Sequence, residues 1–168
     1  MLNTISYGKM LMTLLLGAVS VSSLGQNIKI KKDSSVRTIL FVCEHGAGRS
    51  TIAATYFNKI AEKRRLKYHA IFRGVEPQEA LGISTKNGLI KDSIDVTNLI
   101  PTRLSKNDIN NAYEVVTLDV TLPDTLNKAD IKWTGIQMAG NYDVFKTQIT
   151  LKVDSLITLL TTKKNKTH

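Results

Sequence analysis

The chain has 168 residues, 42% hydrophobic and 22% charged, with a formal net charge of +9. That length and balance fit one compact globular domain and exclude a low-complexity or fibrous chain. One cysteine excludes an internal disulfide framework, and the cysteine and three histidines are scattered without metal-ligand spacing.

In chain order, residues Met1 to Lys9 carry one positive charge, Met10 to Val19 form an apolar run, and small residues lead to Gly25. This is the layout of a secretory signal, so residues 1–25 are expected to be cleaved after Gly25. The mature chain is then expected in a periplasm or secreted, with no stable membrane insertion. An uncleaved anchor is the alternative, because the apolar stretch extended through Leu24 approaches the length of a membrane span. The lack of a cysteine after the run excludes a bacterial lipoprotein anchor. Removing Lys9 from the +9 leaves +8, which favours anionic partners. The basic residues are dispersed and no recognition motif is present, so nucleic acid is not an expected partner.

Residues 26–36 read as a polar lead, 37–162 as the folded domain and 163–168 as a basic, disordered tail. Arg37 to Val42 is the first strand, and its unbroken apolar run suits a central parallel strand covered on both faces. A helix follows, with Ile52, Ala53, Tyr56, Phe57, Ile60 and Ala61 at helical spacing and Lys63-Arg64-Arg65 at its negative end. His69 to Gly74 reads as the second strand and Gln78 to Ile90 as a weaker helix. Ser105 to Asp108 reads as a capped start of a short helix ending near Ala112. Tyr113 to Leu118 is the third strand, Asp119 to Asp130 a polar loop and Ile131 to Trp133 a short fourth strand. A final helix from Asp143 places Phe145, Ile149, Val153, Leu156, Ile157 and Leu160 on one face. This alternation predicts an α/β fold, a doubly wound four-stranded parallel sheet flanked by helices.

The chemistry concentrates in Cys43-Glu44-His45-Gly46-Ala47-Gly48-Arg49-Ser50, between the first strand and the first helix. A loop of this length at a helix N-terminus turns backbone N–H groups toward one point and makes an anion nest. Gly46 and Gly48 allow the backbone to approach a ligand closely. Arg49 offers a planar fork for two oxygens of a tetrahedral oxyanion. Cys43 lies at the floor, where the field that binds phosphate also favours a thiolate, and Ser50 can donate to its sulfur. A thiolate beneath a phosphate ester is placed for in-line attack.

This Cys-x5-Arg-Ser motif after an apolar strand resembles the low-molecular-weight protein tyrosine phosphatases and the arsenate reductases that share their fold. Its spelling is similar to the arsenate-reductase-like branch. The resemblance implies a cysteine-dependent phosphatase that works through a phosphocysteine, with no cofactor and no metal. Cys43 would be the nucleophile and Arg49 the transition-state clamp, with Glu44 to Ser50 holding phosphate. Phe72-Arg73-Gly74-Val75 resembles the family's Ser-Ala-Gly-Thr-like segment.

Two departures stand out. The family's loop asparagine is replaced by Gly46, which implies a looser loop. The family's Asp-Pro pair, whose aspartate is the general acid, is absent from residues 134–143, where Asp143 is the sole carboxylate. Asp143 is therefore the candidate acid, although it or Asn141 can instead cap the final helix. Asp119 and Asp124 are weaker candidates. His45 beside the nucleophile can tune the thiolate or donate a proton, although a surface loop histidine more often points to solvent. The expected partner is a phosphorylated substrate. An arsenate-reductase-like enzyme is the alternative, and with one cysteine it needs an external thiol. A third reading is a non-catalytic oxyanion-binding or phosphoprotein-binding domain.

Overall fold

The computed structural model describes residues 35–126, 128–137 and 141–165. The expected signal segment, residues 26–34 of the polar lead and residues 166–168 of the tail lie outside the described residues. Strands β1 (Arg37–Cys43), β2 (Tyr68–Gly74), β3 (Glu114–Leu118) and β4 (Ile131–Trp133) and helices α1 (Arg49–Lys63), α2 (Ile83–Lys91), α3 (Lys106–Asn111) and α4 (Tyr142–Asn165) follow in the order β1-α1-β2-α2-α3-β3-β4-α4, with a 3-10 turn between β3 and β4. None of these helices is long and apolar enough to cross a membrane.

The sheet is parallel, in the order β2-β1-β3-β4. Its central strand β1 is buried on both faces, as its unbroken apolar run requires. The two-residue period divides its side chains. Ile39, Phe41 and Cys43 join the core shared with α1 and α4, and Leu40 and Val42 join a second core with Leu104, Ile109 and Leu122. Phe41 anchors the first core, with its ring 5.9 Å from Phe57 and 5.5 Å from Trp133 between centroids. Burying each such side chain contributes roughly 1.5–3 kcal/mol.

The helical stripes fall where the spacing puts them. Ile52, Ala53, Phe57 and Ala61 of α1 are buried, as are the six expected apolar positions of α4. Ser105 caps α3: its hydroxyl accepts from Asp108 N, and the Asp108 carboxylate accepts from Ser105 N.

Two boundaries differ from expectation. Helix α2 starts at Ile83 rather than Gln78. The preceding backbone is drawn along the Cys43 loop instead, where Gln78 N donates to His45 O and Gly82 N to Ala47 O. At the other end, α4 continues into the expected tail as far as Asn165. There Lys163 Nζ reaches Glu114 Oε1 at 2.8 Å and ties the last turns to the start of β3.

From β1 the chain moves outward to β2 and then crosses back to β3, so the winding direction reverses beside β1. In open parallel sheets, ligands bind at the carboxyl ends of the strands at such a reversal. The loops after Cys43, Leu118 and Trp133 all leave from that edge.

Candidate active site

Residues 44–48 carry the chain from the end of β1 to the start of α1. Cys43 is 3% exposed and lies in a cavity of about 280 Å³, which His45, Ala47, Gly48, Arg49 and Gln78 also line. Its Sγ accepts from Gly46 N at 3.3 Å and lies 3.0 Å from Ser50 Oγ. The Gly46 N–H thus points at the sulfur, and the Ser50 hydroxyl lies between it and Arg73 O, to which it donates at 3.3 Å. Helix α1 opens at Gly48 without a side-chain cap. The N–H groups of Ala47, Gly48, Arg49 and Ser50 have no acceptor among the described residues, so the helix end presents them as an anion nest.

The loop is held firmly despite having Gly46 in place of asparagine. Gly46 takes φ +63°, the left-handed conformation glycine adopts without steric cost. Its carbonyl accepts from Thr51 Oγ1 at 2.7 Å. Val75 N donates to Cys43 O, Glu76 N to Glu44 O, Gln78 N to His45 O and Gly82 N to Ala47 O, extending the β1–β2 pairing along the whole loop. Glu44 takes part through this backbone bond. The looser loop expected from the glycine is thus offset by Thr51 and by the segment after β2. Gly74 was missed as a site residue: a Cβ there would lie 2.7 Å from the carbonyl carbon of His45 and 2.8 Å from Gly46 N. Its cross-strand partner is Cys43, so a glycine closing β2 was the available signal.

Arg49 is oriented from the β3 side. Its Nε donates to Ile136 O at 3.3 Å and lies 3.5 Å from Asp119 Oδ2. Asp119 also accepts from Gly135 N at 2.7 Å on Oδ1 and from Ile136 N at 2.9 Å on Oδ2. Both of its oxygens are therefore engaged as acceptors, and Asp119 serves the site by fixing the guanidinium and the loop after β4. His45 sits at the exposed rim, with its Nδ1 3.1 Å from Glu76 O.

Asp143 is not brought to the sulfur. It lies on the first turn of α4, paired with Lys146 at 2.9 Å and Lys91 at 3.2 Å. Hydrogen bonds from Lys146 and then Lys91 hold its carboxyl below the usual range, the opposite of what a general acid requires. Asn141 is the cap of α4, with its Oδ1 accepting from Val144 N at 3.1 Å. Asp124 stands in a 3-10 turn and does not line the cavity.

The sequence pattern described as low molecular weight phosphotyrosine protein phosphatase matches residues 38–156. The chain belongs to that family. The fold repeats in solved structures. YfkJ from Bacillus subtilis is 18% identical with a TM-score of 0.69, over 77% of this chain and 98% of its own. The low molecular weight protein tyrosine phosphatase from T. tengcongensis is 20% identical with a TM-score of 0.62, over 72% and 97%. The arsenate reductase from Archaeoglobus fulgidus is 23% identical with a TM-score of 0.58, over 71% and 98%. No curated protein sequence matches the chain. Membership in the low molecular weight phosphatase family makes it a phosphatase-type enzyme or a related reductase built on one cysteine loop.

Proposed function

We propose that this protein hydrolyses phosphate monoesters through a phosphocysteine on Cys43. The observation that carries this reading is the approach of Gly46 N and Ser50 Oγ to a buried sulfur at the floor of an anion nest, with Arg49 at the same cavity. In the first step, Cys43 Sγ attacks phosphorus as the bond to the ester oxygen breaks. The transferring group's equatorial oxygens meet the loop N–H groups and the Arg49 fork, which carry the charge of a loose transition state. In the second step, water attacks phosphorus, the S–P bond breaks, and inorganic phosphate and the thiolate are released. Phosphotyrosine is the expected substrate class by family, and the exported location read from residues 1–25 would make the substrate extracytoplasmic.

A second reading is supported by one specific observation: residues 134–142 contain no carboxylate, and Asp143 is committed to two lysines. Arsenate reduction needs no acid for a carbon-bearing leaving group, but with a single cysteine it needs an external thiol. Hydrolysis of a phosphorylated phenol by the reduced protein, beside Cys43→Ser, separates the two. Turnover lost in Cys43→Ser supports the phosphatase. A parent that is inert toward esters but consumes small thiols when given arsenate supports the reductase. Phosphate binding with neither reaction supports a binding domain.

A further inference from the structure

A phenolate leaving group needs a proton as its bond to phosphorus breaks, because phenols in water ionise only near pH 10. The loop between β4 and α4 cannot provide that proton from an acid of its own. Residues 134–141 are Thr, Gly, Ile, Gln, Met, Ala, Gly and Asn, none of which titrates near neutral pH. Tyr142 is buried and donates to Asp92, and burial followed by that network pushes its hydroxyl far above the usual range. Asp119 accepts on both oxygens.

The cavity over Cys43 supplies an answer. Of the six residues that line it, Cys43 is the nucleophile and His45 alone carries an imidazole, whose ring nitrogens can both give and accept a proton while the thiolate attacks. It lies on the exposed rim, and an in-line attack from the floor sends the leaving oxygen away from the sulfur, toward the mouth. Its ring is also anchored. Nδ1 faces Glu76 O at 3.1 Å, so this nitrogen carries the hydrogen and the proton for transfer belongs to Nε2. The anchor is itself fixed, because Glu76 N donates to Glu44 O at 2.8 Å.

We propose that His45 is the general acid of this enzyme, in place of the aspartate used elsewhere in the family. The proposal rests on the phosphatase reading above. As the S–P bond forms and the P–O bond breaks, Nε2–H gives its proton to the departing oxygen and the ring becomes neutral. In the second step the neutral Nε2 takes a proton from the attacking water, the S–P bond breaks, and the imidazolium and thiolate are restored.

The test compares kcat/KM for phenyl phosphate and for 2,4-dinitrophenyl phosphate in the parent, His45→Asn and Cys43→Ser. The asparagine amide can occupy the place of Nδ1 and keep the bond to Glu76 O, while Nε2 is lost. A dinitrophenolate leaves without a proton, so this ester reports on the thiolate and the loop alone. The expected result is that His45→Asn loses about 10²-fold more kcat/KM on phenyl phosphate than on the dinitrophenyl ester. An equal loss on both esters, or no loss on either, overturns the assignment of His45 while leaving the nucleophile in place. A parent that fails on the dinitrophenyl ester, or a Cys43→Ser variant that matches it, overturns the phosphatase reading and the acid together.

Discussion

Arg49 and Asp119 meet through one edge of the guanidinium. Nε lies 3.5 Å from Asp119 Oδ2 and donates to Ile136 O, and no acceptor among the described residues takes the two terminal amino groups. The arginine is thus held by its stem-side nitrogen, and its fork remains for a ligand. Both side chains are about a quarter exposed, so the pair by itself stabilises the fold by no more than about 1 kcal/mol. Its consequence lies in orientation. Asp119→Asn keeps an acceptor for one backbone N–H and is expected to cost about tenfold in kcat/KM. Asp119→Ala, which releases Gly135 N and Ile136 N as well, is expected to cost about 10²-fold. The check is ester kinetics read beside phosphate inhibition: both variants should weaken inhibition by phosphate, because the arginine proposed to grip it is no longer held.

Gly46 and Gly74 make the second prediction. A Cβ on Gly74 meets only backbone atoms within 3.1 Å, so nothing flexible can yield. Gly74→Ala is expected to push the loop away from β2, destabilising the protein by about 1–3 kcal/mol and lowering kcat/KM by at least 10²-fold. Gly46→Ala adds a left-handed alanine, costing about 1–2 kcal/mol, to a Cβ only 2.9 Å from Gly74 N. Urea midpoints and ester turnover measure both. A Gly74→Ala protein with parental activity would show that this contact does not shape the loop.

The parts of the site that read directly from the sequence are those made locally. Strand, loop and helix from Arg37 to Lys63 carry their own signals: an apolar run, two glycines and a helical stripe. Asp119 was legible as a polar-loop residue and a weaker candidate acid but not as the holder of Arg49, because its partners are Arg49, far earlier in the chain, and the N–H groups of Gly135 and Ile136. Position, not composition, makes it part of the site. The start of α2 was misplaced for a similar reason. The apolar spacing from Gln78 onward looks helical, but the N–H groups of Gln78 and Gly82 are drawn to the carbonyls of His45 and Ala47, a partner no local pattern announces. Residues 163–165 belong to α4 and not to a tail: their lysines look like a solvated end, whereas Lys163 pairs with Glu114.

Gly88 sets helix propensity against packing. Inside an exposed helix, alanine in place of glycine stabilises by about 1 kcal/mol. Here the new Cβ would sit 2.2 Å from Cγ of Tyr142, whose ring also packs edge-on against Phe145 with 5.4 Å between centroids. The contact is at the base of the ring, so the whole side chain must move, and overpacking of this kind costs about 1–3 kcal/mol. Gly88→Ala is therefore expected to lower stability despite its better helix propensity. A raised thermal midpoint would show that Tyr142 moves without cost.

Acid should loosen the same region first. Asp92 accepts from Tyr56, from Tyr142 at 3.0 Å and from Lys146 at 3.1 Å, joining α1, the end of α2 and the start of α4. Burial raises its carboxyl, but the bonds from Tyr56, Lys146 and Tyr142 outweigh this and hold it below the usual range. The same carboxylate helps push the Tyr56 hydroxyl, already raised by burial, to about 12. Because the folded form of Asp92 has the lower pKa, its contribution to stability is complete above the ordinary carboxyl value of about 3.9 and is lost as pH falls through the depressed folded value. Asp143, held low by Lys146 and Lys91, and Asp108, held low against its own burial by Arg73 and Ser105, act in the same direction. Urea midpoints of the parent should hold from pH 7 to about 5 and fall below about 4. In Asp92→Asn the midpoint should be lower at pH 7 and fall less on acidification, because one of the protonating groups is gone. Parallel curves for the two proteins would remove Asp92 from the cause. Asp143→Asn should keep parental turnover, since its carboxylate serves Lys91 and Lys146 and not the leaving group.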